Sequence, residues 1–243
     1  MKRRETSHFL QDALSLVVHC EAQLPVLKKL YDASLSARSV DTSLLIGVKN
    51  LLENLRSALD FCAHAIVEKY SDTTPKKIYF PYAATKEAKE EFEKRMNRAL
   101  PNVRSKRPDL WAMIIAMQHF SHPGAKWFPE FMNLTNKNKH VYLVPNEVVD
   151  GVALEAGGLQ IHAEGITLGE TGSIETDKGV LRGPMTVTPE NADQYADLGV
   201  AKVTRWSAIY IEGYGYPMTA DEFLAHCVKA ISGVVEQLAS TLS

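Results

Sequence analysis

Apolar residues at Leu44, Leu45, Val48, Leu51, Leu52, Leu55, Leu59, Cys62, Ala65, Ile66 and Tyr70 recur at three- and four-residue spacing. Only an α-helix gathers that spacing into one stripe. The sequence therefore predicts a helix over 42–70, capped by Asp41 or Thr42 and ended by Ser71-Asp72. At 1.5 Å per residue it is about 43 Å long, the depth of a small domain, so other elements must pack along it. Upstream, Leu10, Leu14, Val17, Leu24, Leu27 and Tyr31 keep the same spacing and predict a first long helix, Thr6 to about Ser36. Pro25 removes one hydrogen bond within it and predicts a kink or break near Gln23 to Pro25. The short link Ser36 to Asp41 favours an antiparallel pair.

Beyond the second helix, Lys76 to Tyr82 reads as an extended lid or lone edge strand, because the residue before Pro81 is pushed out of the helical region. Thr85 can cap a helix carrying Phe92, Met96 and Leu100 as a narrow apolar stripe. Pro108 and Asp109 open a densely apolar helix through Ser121, and Trp127-Phe128-Pro129 opens a short one through His140. From Val141 to Tyr216 the helical period gives way to short apolar runs. These are Val152 to Leu154, Leu159 to His162, Ile166 to Leu168, Val180 to Leu181, Met185 to Val187 and Val203 to Ile211. They predict an antiparallel meander with hairpin turns at Gly157-Gly158 and Asp177-Lys178-Gly179, and a helical turn within Asn191 to Asp197. Thr219-Ala220-Asp221-Glu222 is a capping box opening a last helix with Phe223, Cys227, Ile231, Val234 and Leu238 on one stripe.

That stripe needs an apolar partner, and the helical bundle offers one. The expected class is therefore α+β: a mainly α-helical bundle with an antiparallel β lobe inserted before the C-terminal helix. The expected divisions are 1–143 for the bundle, 144–216 for the insertion and 217–243 for the returning helix.

Composition narrows the function classes. A formal charge of -2 and 45% apolar residues over 243 positions describe a globular chain with no whole-molecule field for nucleic acid or anionic membrane. No run approaches ~18 uninterrupted apolar residues, so a cytoplasmic protein without a membrane partner is expected. Cys20, Cys62 and Cys227 each sit among apolar helical neighbours, as reduced thiols do. Charge is nevertheless segregated. Residues 94–140 carry nine Lys and Arg against Asp109 and Glu130, a balance of +7, and residues 141–200 carry ten acids against Lys178 and Arg182, a balance of -8. The favoured expectation is that these faces dock within one molecule.

Two clusters carry candidate chemistry. Arg56, Asp60 and His64 are spaced by four on the long helix, with Asn54 on the other flank and Ser57 and Phe61 in the same band. One carboxylate there can touch a guanidinium and an imidazole, a trio that orients a histidine for proton transfer or forms a solvated face with two helical ion pairs. The solvated face is the favoured reading. Asn136, Lys139 and His140 close the short helix, where the dipole favours cations; they suit an anion contact or plain basic C-capping. His119 and His122 lack a third ligand at metal spacing, so no metal and no cofactor are expected. Trp206, Tyr210, Tyr214 and Tyr216 form either a stacking surface or packing beneath a helix.

The segment Asn54-Leu55-Arg56-Ser57-Ala58-Leu59-Asp60, with Tyr79-Phe80-Pro81, Trp127-Phe128-Pro129 and Asn136 before Lys139-His140, resembles a group of uncharacterised bacterial helical proteins over roughly residues 45–145. More distantly the helical arrangement is similar to the HEPN class, whose ribonucleases carry an arginine and a histidine close together on one helix. That resemblance implies Arg56, His64 and Asp60 as catalytic residues and Asn54, Asn136, Lys139 and His140 as substrate-binding ones, acting on RNA in stress or phage defence. His64 departs from the pattern by standing eight residues after Arg56. The incomplete constellation favours a non-enzymatic interaction module with a protein partner or a second copy of itself; the alternative is the HEPN-like RNA-binding protein or ribonuclease.

Overall fold

The computed structural model describes residues 7–140, 148–156, 158–209 and 218–242, with the backbone alone at 137–140 and 206. Expectations that fall on Thr6, on the side chains of Lys139 and His140, and on Trp206, Tyr210, Ile211, Tyr214 and Tyr216 lie outside the described residues.

The chain is α+β and mainly helical, with its strands between the sixth helix and the last. Helix α1 (His8–Ala37) and helix α2 (Thr42–Tyr70) form the expected pair. Asp41 caps α2, its carboxylate accepting from Ser43 N at 2.6 Å. Helix α1 does not break at Pro25. The carbonyl that Pro25 deprives of a donor is that of Glu21, on the exposed side of the helix, where water can replace the lost hydrogen bond. At Gly47 the pair leaves no room for a side chain, since a Cβ would lie 2.4 Å from Leu27 Cδ2.

Helix α3 (Lys89–Ala99) starts without the expected Thr85 cap. The preceding turn closes on itself instead: Glu87 N donates to Ala84 O at 2.8 Å, and Ala84 N to Glu87 Oε2 at 3.0 Å. Helix α4 (Val103–Lys106) was not legible, having a single apolar residue in four. Helix α5 (Pro108–Ala116) opens on Pro108 as expected but stops short of Ser121. Side chains take over its terminal carbonyls, Gln118 Nε2 donating to Ile114 O at 2.7 Å and Ser121 Oγ to Ile115 O at 2.5 Å. Helix α6 (Trp127–His140) has the expected bounds.

Among the described residues seven strands follow: β1 (Val148–Ala156), β2 (Leu159–Ala163), β3 (Ile166–Leu168), β4 (Ser173–Thr176), β5 (Gly179–Arg182), β6 (Met185–Val187) and β7 (Lys202–Ile209). All described pairings are antiparallel, but the order is not a meander. β7 returns beside β1 to give β2-β1-β7, while β3 pairs β6 and β4 pairs β5 inside that excursion. The strands flanking both predicted hairpins pair, and Gly158 (φ +82°) is left-handed in the first, whose Gly157 lies outside the described residues. A 3₁₀ turn, Ala192–Tyr195, sits within the predicted 191–197 stretch.

Helix α7 (Ala220–Leu242) returns to the bundle. Its Phe223, Cys227, Ile231 and Leu238 belong to one buried apolar cluster with Val17 and Leu27 of α1 and Leu51, Leu55 and Ile66 of α2. A separate cluster built on Val152, Leu154, Val187 and Val203 fills the lobe. The capping box is half made: Thr219 N donates to Glu222 Oε2 at 3.0 Å, but the Thr219 hydroxyl donates to Asp221. At the far end Lys69 Nζ donates to Leu242 O, and Arg107 to Thr241 O, so cations cover the carbonyl end of α7. No described helix is long and apolar enough to cross a membrane.

Among the described residues, no ion pair joins residues 94–140 to the β lobe; the lobe's one bridge to the bundle runs from Asp150 to Arg38, just past α1, at 3.0 Å. The expected docking of the two charged faces within one molecule is thus not seen among the described residues. Truncating Phe223 to Ala should lower unfolding free energy by about 3–5 kcal/mol. A denaturant midpoint left unmoved would show that α7 does not share the bundle core.

Candidate functional site

Arg56 and Asp60 stand one turn apart on α2, and the surrounding elements close over them. Arg56 is buried, 8% exposed. Its Nη1 lies 3.1 Å from Met132 Sδ and 3.5 Å from Thr135 Oγ1 of α6, its Nε is 3.5 Å from Asp60 Oδ2, and its plane sits 5.4 Å from the Tyr82 ring centroid. The favoured solvated face is therefore corrected at Arg56, because helical spacing fixes which residues share a side and not what covers it. Asp60 Oδ1 accepts from Phe80 N at 2.8 Å.

That hydrogen bond begins a series. Residues 78–84 form neither helix nor strand, Phe80, Pro81 and Ala83 are buried, and Phe80, Tyr82, Ala83 and Ala84 are each tied to a side chain. Ala83 N donates to Oε1 of Gln118, which is fully buried, at 2.8 Å. Arg95 Nη2 donates to Tyr82 O, and Asn136 Nδ2 donates to Tyr82 Oη at 3.1 Å. Glu87 accepts from Ala84 N and, on two oxygens, from Arg95 Nε at 3.1 Å and Nη2 at 2.7 Å. Burial raises the Glu87 carboxyl, but Arg95 and the Ala84 N-H outweigh it and hold the group below the usual carboxylate range. Beside this series Tyr82, Ala84, Lys86, Glu87 and Arg95 line a cavity of about 410 Å³. A second concavity, about 360 Å³ and mostly apolar, lies between α1, α2 and the start of α7, against Leu27, Tyr31, Val48 and Leu224.

Of the candidate residues, Arg56, Asp60 and Asn136 are brought together around Tyr82. His64 and Asn54 are not part of that group. His64 stacks on Phe9 of α1, ring centroids 4.9 Å apart, while Arg56 turns to α6. Eight residues of helix also put about 12 Å of axial rise between them. Asn54 is half-buried, about 200° around the helix from Arg56. Lys139 and His140 are on the last turn of α6, in backbone only. Tyr82, Glu87, Arg95, Gln118 and Thr135 were missed as site residues. The one available signal was Gln118, a polar residue just beyond a densely apolar helix.

The thiols are free and buried, and burial pushes Cys20 up to about 11 and Cys62 up to about 12, which leaves them unreactive as nucleophiles. No three His, Cys, Asp or Glu side chains among the described residues group as metal ligands. Comparison with protein-family models, curated proteins and solved structures finds no match for this chain.

Gln118→Ala would orphan the buried Ala83 N-H and should cost about 1–3 kcal/mol. Because the folded Glu87 carboxyl titrates lower than in the unfolded chain, its stabilisation is full above the ordinary carboxylate range and fades as pH falls through and below that range. The stability gap between wild type and Glu87→Gln should be present at pH 7 and close in acid. A gap independent of pH would refute the charge-based account of this tie.

Proposed function

We propose that this chain is a non-enzymatic helical interaction module that works through its surfaces. The observation that carries the reading is the employment of its most reactive-looking groups: Arg56 and Asp60 fasten α6 and residues 80–82 onto α2. A general acid or base must reach a substrate proton, and a buried guanidinium laid against Tyr82, Met132 and Thr135 is placed to hold a fold together instead. One observation favours the second reading, a HEPN-like RNA-binding protein. Tyr79 is 54% exposed beside exposed Lys76 and Lys77, an aromatic with cations of the kind on which unpaired bases stack.

Total RNA incubated with the protein, and with Arg56→Ala and His140→Ala variants, discriminates them. The module reading expects intact RNA in all three samples, with Arg56→Ala destabilised by about 3 kcal/mol through loss of a buried, paired side chain. RNA cleaved by the wild type and spared by a folded Arg56→Ala variant would overturn it.

A further inference from the structure

The charges of this chain are separated along the axis of α2. The β lobe is rooted where α1 ends and α2 begins: Ile209 N donates to Tyr31 Oη at 3.2 Å, and Asp150 pairs with Arg38. Helices α4 and α5 are fastened at the opposite end, where Asn102 and Lys106 hold Asp72 and Arg107 holds Tyr70. Between those attachments lie the 29 residues of α2, about 43 Å of helix. That is several Debye lengths at physiological salt, too far for the ends to neutralise each other.

Both ends present their charge to solvent. Glu164, Glu170, Glu175, Asp177, Glu190 and Asp193 are exposed on the lobe; Lys76, Lys77, Lys86, Lys94 and Arg98 are exposed between the end of α2 and the end of α3. Among the described residues none of these eleven lies within 4 Å of an opposite charge. Counting every charge, the lobe (148–209) carries nine acids against Lys178, Arg182, Lys202 and Arg205, and residues 89–116 carry seven bases against Glu90, Glu91, Glu93 and Asp109, so net charges of -5 and +3 face solvent on the two parts.

We propose that the acidic β lobe of one copy docks on the basic α3–α5 end of a second copy. The inference rests on the interaction-module reading and names its partner as the chain itself. The complementary potentials steer the encounter and fix which surfaces meet, while each exposed ion pair contributes little, so the contact is weak and strongly salt-dependent. Because the two surfaces differ, the contact is heterologous, able to close a ring or to propagate.

Sedimentation of the full chain at about 0.01 M and about 1 M salt tests this, where screening lengths are about 30 Å and 3 Å. The expected result is a mass above one chain at low salt and a single chain at high salt. Glu170→Lys with Glu175→Lys, and separately Lys94→Glu with Arg98→Glu, should each weaken the low-salt association at least tenfold. All four side chains are exposed, and matching unfolding curves verify the fold. Mixing the two doubly reversed proteins should restore a complex, since the intact basic end of one meets the intact acidic lobe of the other. A single chain at every salt concentration, association indifferent to both reversals, or a mixture that fails to recover would each overturn the proposal. Uptake of single-stranded RNA by the basic end while the chain sediments as one copy would also overturn it. A single chain with RNA left intact retires this contact alone; cleaved RNA retires the module reading.

Discussion

The structure depends on the burial of α2 around most of its circumference. Helices α1, α6 and α7 all lie against it, and fully covered positions run from Leu44 to Val67. A helix enclosed this way cannot be stable alone, and it obliges the chain to return after the strands and supply a last wall. That wall is α7, so the β lobe is an interruption of the bundle core, with a second apolar cluster of its own. The root of the lobe is shared: Ile209, the last residue of β7, is buried within the bundle cluster.

Enclosure also explains the use made of polar residues. Arg56 is the one charged side chain buried along α2, and a buried charge must find partners or cost several kcal/mol. It finds Asp60, Thr135 and the face of Tyr82, and Asp60 in turn receives the Phe80 N-H. Gln118, Glu87 and Arg95 continue the series through residues 82–84. An irregular segment lying on a helical bundle has no strand beside it to take its backbone donors, so three side chains, Asp60, Gln118 and Glu87, accept them. The groups that look reactive in isolation are the ones this solution consumes.

Much of this was legible in the sequence, for physical reasons that also mark where legibility stops. The 3.6-residue period exposed the long helices, and Thr219 to Glu222 announced the last one, because capping and amphipathicity are local. The position of Arg56 was not legible, because a helical face does not state what covers it. β4 escaped notice since Ile174 is its single apolar residue, and the nested strand order could not follow from spacing, since β1 and β7 are partners across 45 residues of intervening chain. The unbroken α1 shows a proline tolerated where the freed carbonyl faces water. Charge segregation was plain in the sequence, but among the described residues no ion pair joins the two regions.

The shared core is the central claim, and native-state amide hydrogen exchange measures it most directly. If α7 completes the bundle, the interior amides of α1, α2 and α7 open together, at one common free energy equal to that of global unfolding, while β4 and β5 exchange through a separate, easier opening. Protection of α7 that is lost together with the lobe strands, while α1 and α2 remain closed, would contradict the account.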